Sequence, residues 1–257
     1  MGSSALLTFL VPHAGNPSML AACLTAIRLH HPDAAVHVGL RGDDSYARRA
    51  HELCELYADS IIVTPGNGDD TDVVMRDLLL SCETDYAVYL EADCLLLKPI
   101  TSFPDFVGIE EDISWPEGRP GERLGPNSDK FRYAPGMHTA SYFQLNVKRF
   151  QKEVGIGAVE IKGRKFGEPY YGLSAGIRDA GWHIDLLPVT HLPYDYGYAT
   201  AYGDQAVHMW FGAWRLRDNV ESASGVPREY IAIAEANLLT AFWCGTLESE
   251  VKKCMGL

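Results

Sequence analysis

Three observations predict an α/β fold with a mostly parallel sheet covered by helices on both faces. Short apolar runs of strand length recur through the first part of the chain. Stretches with helical spacing separate them. Polar residues gather where each apolar run stops. The 257 residues fit one large domain, or one domain with an added lobe. A hydrophobic share of 47% and a mean hydropathy of −0.09 fit a globular chain.

The elements follow in order. Ala5 to Val11 is an apolar run stopped by Pro12. Pro17 to His30 reads as a helix, with Asn16 as N-cap, Pro17 at N1 and Leu20, Cys23, Leu24 and Ile27 on a buried face. Val36 to Leu40 is a second strand, Ser45 to Tyr57 a second helix and Ser60 to Val63 a third strand. Asp70 or Thr71 can cap a third helix that runs to about Cys82. Tyr86 to Leu90 is a fourth strand. Beyond it, residues 104–137 are rich in Pro, Gly and charge and read as a long loop or irregular subdomain. His138 to Val147 is strand-like, and Pro169 to Ala180 is helical with Gly181 at C′. His183 to Pro188 is another strand, Thr190 to Gly203 a loop, and Arg228 to Phe242 an apolar-faced helix.

Charge and cysteines narrow the function classes. A net charge of −12 argues against nonspecific nucleic-acid binding by the whole surface. Residues 114–178 run against that trend, with 11 Lys and Arg against 6 Asp and Glu. Their densest part is Lys148, Arg149, Lys152, Lys162, Arg164 and Lys165, either a solvated face or a patch for an anionic partner such as DNA or another polyanion. The six cysteines form no C-x-x-C pair and read as reduced, small apolar residues of a cytoplasmic protein. No apolar run approaches the roughly 20 residues of a membrane span.

The most informative stretch is Tyr86 to Leu97, where an apolar run delivers Glu91 and Asp93 and turns apolar again. Residues at i and i+2 of a strand face one side, so both carboxylates can converge on one point. Like charges placed together repel unless a cation or solvent lies between them. A hard divalent metal carrying a diphosphate suits the pair, and a solvated turn is the plainer reading. Pro12/His13 and Asp43/Asp44 also fall at carboxyl ends of strands, where α/β sheets bind ligands.

In order and spacing these segments resemble glycosyltransferases of the GT-A fold. Thr8–Pro12 with its polar loop, Val38–Ser45 with Asp43 and Asp44, Arg76-Asp77 in the third helix, and Glu91-Ala92-Asp93 followed by an apolar run and Pro99 carry the likeness. It implies a GT-A-like, Rossmann-type mixed, mostly parallel sheet flanked by helices in a single domain. Residues 1–100 would then bind the nucleotide sugar and 101–257 the acceptor. It implies a donor, most simply a UDP-sugar, held by Pro12, His13, Asp43, Asp44, Asp72, Arg76 and Glu91. Arg76 can pair with phosphate or with Asp72 one turn earlier. His208, in His208-Met209-Trp210-Phe211-Gly212, resembles the late histidine that completes metal coordination beside Asp93 and Glu91. A nitrogen ligand favours Mn²⁺ over Mg²⁺.

For an inverting reaction, Glu168 is the first candidate base and Asp204 the second. The family's acidic pair falls on Pro169 and Tyr170, so the acceptor side departs from the pattern. Two other classes share the acids and the sheet: a nucleotidyltransferase acting on sugar phosphates, and a noncatalytic nucleotide-sugar-binding protein. The first calls for a Gly-rich phosphate loop, and His13-Ala14-Gly15-Asn16-Pro17 is a poor one. Three acceptor classes stay open: a neutral molecule, a nucleic acid with a hydroxylated base, and a lipid phosphate.

Overall fold

The computed structural model describes residues 7–12, 15–41, 47–64, 71–109, 141–158, 168–209, 216 and 226–257. The chain alternates β1 (Leu7–Pro12), α1 (Pro17–His30), β2 (Ala35–Arg41), α2 (Ala47–Tyr57), β3 (Ser60–Thr64), α3 (Thr71–Ser81) and β4 (Tyr86–Leu90). After β4 come β5 (Cys94–Leu96), β6 (Phe106–Ile109), β7 (Tyr142–Asn146), α4 (Val147–Glu153) and α5 (Glu168–Asp179). The chain then forms β8 (Asp185–Leu187), β9 (Val189–His191), β10 (Ala199–Tyr202), β11 (Ala206–Met209), α6 (Arg228–Trp243) and α7 (Leu247–Cys254).

Seven strands form a mixed, mostly parallel sheet in the order β3-β2-β1-β4-β7-β6-β8. The pairs β3–β2, β2–β1, β1–β4 and β6–β8 are parallel, and β7 runs antiparallel between β4 and β6. The expected α/β class is therefore present. The strand order reverses at β1: β2 and β3 lie to one side, and the chain returns through α3 to place β4 on the other. Such a reversal opens a crevice at the carboxyl ends of the two central strands.

Alternation explains why both faces are covered. In β1, Phe9 and Val11 join one apolar cluster and Leu10 the other; in β4, Val88 and Leu90 divide from Ala87 and Tyr89 in the same way. Burial of such side chains contributes roughly 1.5–3 kcal/mol each against leaving them in water. Tyr89 stacks on Phe143 with centroids 4.7 Å apart, fixing β4 to β7 on the second face.

The helix ends follow their sequence signals. Asn16 caps α1, its Oδ1 accepting from the Ser18 N–H at 3.2 Å, with Pro17 as the first helical residue. Its Nδ2 also donates to Glu235 Oε2 at 2.8 Å, tying the start of α1 to α6. At the end of α5, Gly181 takes φ +71°. Its N–H reaches the Arg178 carbonyl while that of Trp182 reaches Ile177, a Schellman closure. Gly39 of β2 is required by a close approach: a Cβ there would lie 2.6 Å from Val74 Cγ1 of α3.

The second half differs from the sequence reading in three ways. The stretch 104–137 contains β6, whose four residues are all buried between β7 and β8. The supposed loop Thr190–Gly203 contains the end of β9 and all of β10. Together with β5 and β11 they build a second, four-stranded sheet of order β5-β11-β10-β9. Strands of three or four residues are too short to show a period, and their stability comes from pairing. Ala199, Ala201, Ala206 and Val207 of this sheet share one buried cluster with Phe9 and Val11 of β1, so the two sheets are packed on a common core. Among the described residues no single helix is long and apolar enough to cross a membrane.

Candidate metal centre

The acidic pair sits at the sheet's point of reversal. β4 stops at Leu90, and Glu91 to Cys94 form a turn closed by the Cys94 N–H on the Glu91 carbonyl at 2.9 Å. The turn is pinned from two sides: Ala92 N–H donates to the Pro12 carbonyl at the end of β1, at 3.3 Å, and Glu91 N–H to the Ser141 carbonyl at 2.9 Å. Glu91 and Asp93 thus converge through a turn rather than along a strand, a correction to the i, i+2 reading.

Register in the second sheet adds a third group. β11 runs antiparallel to β5 with His208 opposite Cys94, and the Met209 N–H donates to the Asp93 carbonyl at 2.9 Å. The imidazole consequently faces the acids, with Nε2 at 3.3 Å from Asp93 Oδ1 and 3.6 Å from Glu91 Oε2. One ligand atom from each of the three residues lies within 4.8 Å of the others. Two ligands about 2.1 Å from one ion and at right angles are about 3 Å apart, so these spacings suit a shared cation.

Burial divides the trio into floor and mouth. Asp93 and His208 are each 2% exposed, whereas the Glu91 side chain is 28% exposed. The floor holds its charge in a poorly solvated place, and Glu91 opens toward solvent. On the far side of His208, Nδ1 lies 3.0 Å from Ser141 Oγ and 3.0 Å from Tyr202 Oη. Metal-binding histidines are commonly held in this way through the other ring nitrogen.

Two thiols lie beneath the turn. Cys23 of α1 donates to the Glu91 carbonyl at 3.8 Å, and Cys94 begins β5. Burial, and then the nearby Asp93 charge, push the Cys23 thiol far up; burial, followed by Cys23, Asp93 and Glu91, does the same to Cys94. Both shifts favour the neutral thiol, which packs as a small apolar residue. The donor set is therefore two carboxylates and one imidazole, which suits Mn²⁺ better than a thiolate-seeking metal.

No protein-family model and no curated protein matches this chain.

The remaining sequence candidates distribute as follows. Pro12 adjoins the acidic turn through its carbonyl. His13, Asp43 and Asp44 lie outside the described residues. Asp72 lies in the first turn of α3 and Glu168 is the first residue of α5, both with side chains outside the described set. Arg76 pairs with Asp77, Nε to Oδ1 at 3.0 Å. Asp204 is removed from the centre: it occupies the turn between β10 and β11, ion-paired with Lys98. Gln205, Ala206 and Val207 lie between it and His208, and the β5–β11 register puts Asp93 and Asp204 toward opposite ends of that strand pair. The Lys98 ammonium holds the Asp204 carboxyl below the usual range, which suits an anion in an ion pair and not a proton acceptor.

Lys148 and Arg149 also stand apart. Lys148 faces Asp85 at 3.5 Å, and Arg149 binds Asp105 and Glu153 while its guanidinium lies 4.5 Å over the Trp182 ring. Asp85 and Asp105 directly precede β4 and β6, at the edge of the sheet opposite the trio. Lys162, Arg164 and Lys165 lie outside the described residues. Ser141 and Tyr202 were not singled out in the sequence, since a hydroxyl on a buried strand gives no local signal.

Proposed function

We propose that this protein is a metal-dependent glycosyltransferase of the GT-A kind, moving a sugar from a nucleotide-diphosphate donor to an acceptor hydroxyl. The observation that carries this reading is the meeting of Glu91, Asp93 and His208 beside the end of β1, at the reversal point of the sheet. That is where open α/β sheets bind nucleotides. Asp93 and His208 form the buried anchor for a divalent cation, Mn²⁺ before Mg²⁺, and Glu91 faces the donor. When bound, such a cation supplies positive charge against the diphosphate as the sugar bond breaks.

The chain's own contribution is position. The Ala92–Pro12 bond fixes the acidic turn against β1, so donor and cation share one rigid edge. Closure of the trio by β11 excludes water from two of its three ligands. Glu168 remains the proposed base for an inverting transfer, at the start of α5. An anionic acceptor, DNA or another polyanion, would have to be held by Lys162, Arg164 and Lys165, because Lys148 and Arg149 are engaged at the opposite edge.

A thermal-shift panel of nucleotide sugars with and without Mn²⁺ tests the reading. One donor should raise the melting temperature only when Mn²⁺ is present, by an amount equivalent to about 2.7 kcal/mol at a hundred times its Kd. The Asp93→Ala variant should lose the shift. A panel in which neither Mn²⁺ nor any nucleotide sugar stabilises the wild type would refute it.

A further inference from the structure

We propose that Ser141 and Tyr202 are positioning residues that orient the His208 ring and accept its Nδ1 proton when Nε2 binds a cation, an inference that rests on the metal centre proposed above. A neutral imidazole has one N–H donor and one lone pair. Nε2 points at Asp93 and Glu91, 3.3 and 3.6 Å away, and those carboxylates favour a proton on Nε2. A cation needs the lone pair there, so the proton must reside on Nδ1. Ser141 Oγ and Tyr202 Oη, each 3.0 Å from Nδ1, can accept it. A hydroxyl both donates and accepts, so the same two groups satisfy Nδ1 in either tautomer without strand movement.

Burial makes this pair matter. Ser141 and His208 are 2% exposed and Tyr202 is fully buried, so water is a poor substitute at Nδ1. Orientation is constrained as well. The Tyr202 ring lies against the imidazole with centroids 6.1 Å apart, and Ser141 directly precedes β7. Ser141 has a second link to the centre, since its carbonyl accepts from the Glu91 N–H at 2.9 Å. One residue therefore sets the backbone of one ligand and the ring of another.

The test is Mn²⁺ titration with pulsed EPR on the wild type, Ser141→Ala, Tyr202→Phe, the double variant and His208→Ala. Both substitutions delete a hydroxyl with little change of shape, and metal-free melting checks the fold. The double variant should bind Mn²⁺ about 10–100-fold more weakly, with a weakened or heterogeneous imidazole-nitrogen coupling. Each single variant, keeping one hydroxyl, should lose less. Should the double variant not fold, the nitrogen coupling of Tyr202→Phe carries the test. An unchanged affinity and coupling in the hydroxyl variants, with His208→Ala losing both, overturns this inference alone. A wild type without Mn²⁺ binding or nitrogen coupling overturns the metal centre and this inference together.

Discussion

The two edges of the seven-stranded sheet treat charge in opposite ways. At the amino edge, several charges meet their opposites. Arg28 binds Asp59 and the carbonyls of Tyr57 and Ala34, Lys148 faces Asp85, and Arg149 is shared by Asp105 and Glu153. At the carboxyl edge, two carboxylates are brought together with one neutralisable imidazole, and two of the three groups are buried. Pairing of opposites tightens a fold, and gathering of like charges weakens it unless a ligand joins them. The first edge thus reads as construction and the second as a binding site. Basic residues counted along the sequence suggested a polyanion surface; their partners assign Lys148 and Arg149 to the first edge.

The largest effect that sharpens this contrast is expected at Asp93. Asp93→Asn should weaken Mn²⁺ binding by more than about 100-fold, beyond the range of a change behind the ligands. The same variant, free of cation, should melt no lower than the wild type, because it removes one of two crowded charges. Calorimetry and titration on one sample measure both. A lower cation-free melting temperature would show that Asp93 is structural and erase the difference between the edges.

A smaller effect, with the opposite pattern, is expected at Arg149. Arg149→Met strands Asp105 and Glu153 and removes the cation over Trp182. It should lower the melting temperature by a few degrees and leave Mn²⁺ affinity as it was. Altered Mn²⁺ or donor binding in this variant would break the comparison.

The mildest effect is one of acid. The indole N–H of Trp182, outweighing burial and joined by Arg149, holds the Glu153 carboxyl below its ordinary value. Asp59 is also lowered: burial opposes its charge, but Arg28 and the Val36 N–H outweigh it. A carboxylate depressed in the folded state stabilises it above the unfolded value, and that stability is lost as pH falls through the folded one. Melting temperatures should therefore begin to drop below about pH 4. In Asp59→Asn, which keeps an oxygen for Val36 but not the charge facing Arg28, the drop should be shallower. An identical acid profile would mean the Arg28–Asp59 pair adds nothing.

Legibility followed the length and regularity of each segment. Strands β1 to β4 and helices α1 to α3 lie within about two residues of the sequence reading, because buried parallel strands are long apolar runs and Asn16-Pro17 is a helix start. β6 was hidden among prolines and glycines, and β9 and β10 among tyrosines. Only their partners make them strands. The site divides likewise. Glu91 and Asp93 are conspicuous as charges after an apolar run. His208 was reached only through a family likeness, since its place opposite Cys94 is a fact of pairing. Ser141 and Tyr202 needed coordinates, as did the Lys98 partner of Asp204.

The pairing of β5 with β11 has a consequence for assembly. It joins Asp93 to a histidine roughly a hundred residues later, a closure whose entropic cost is incurred before any ligand repays it. The trio does not exist in a chain whose last third is undocked. A cation held there would act as a noncovalent staple across that long loop, and its binding would report on the completeness of folding.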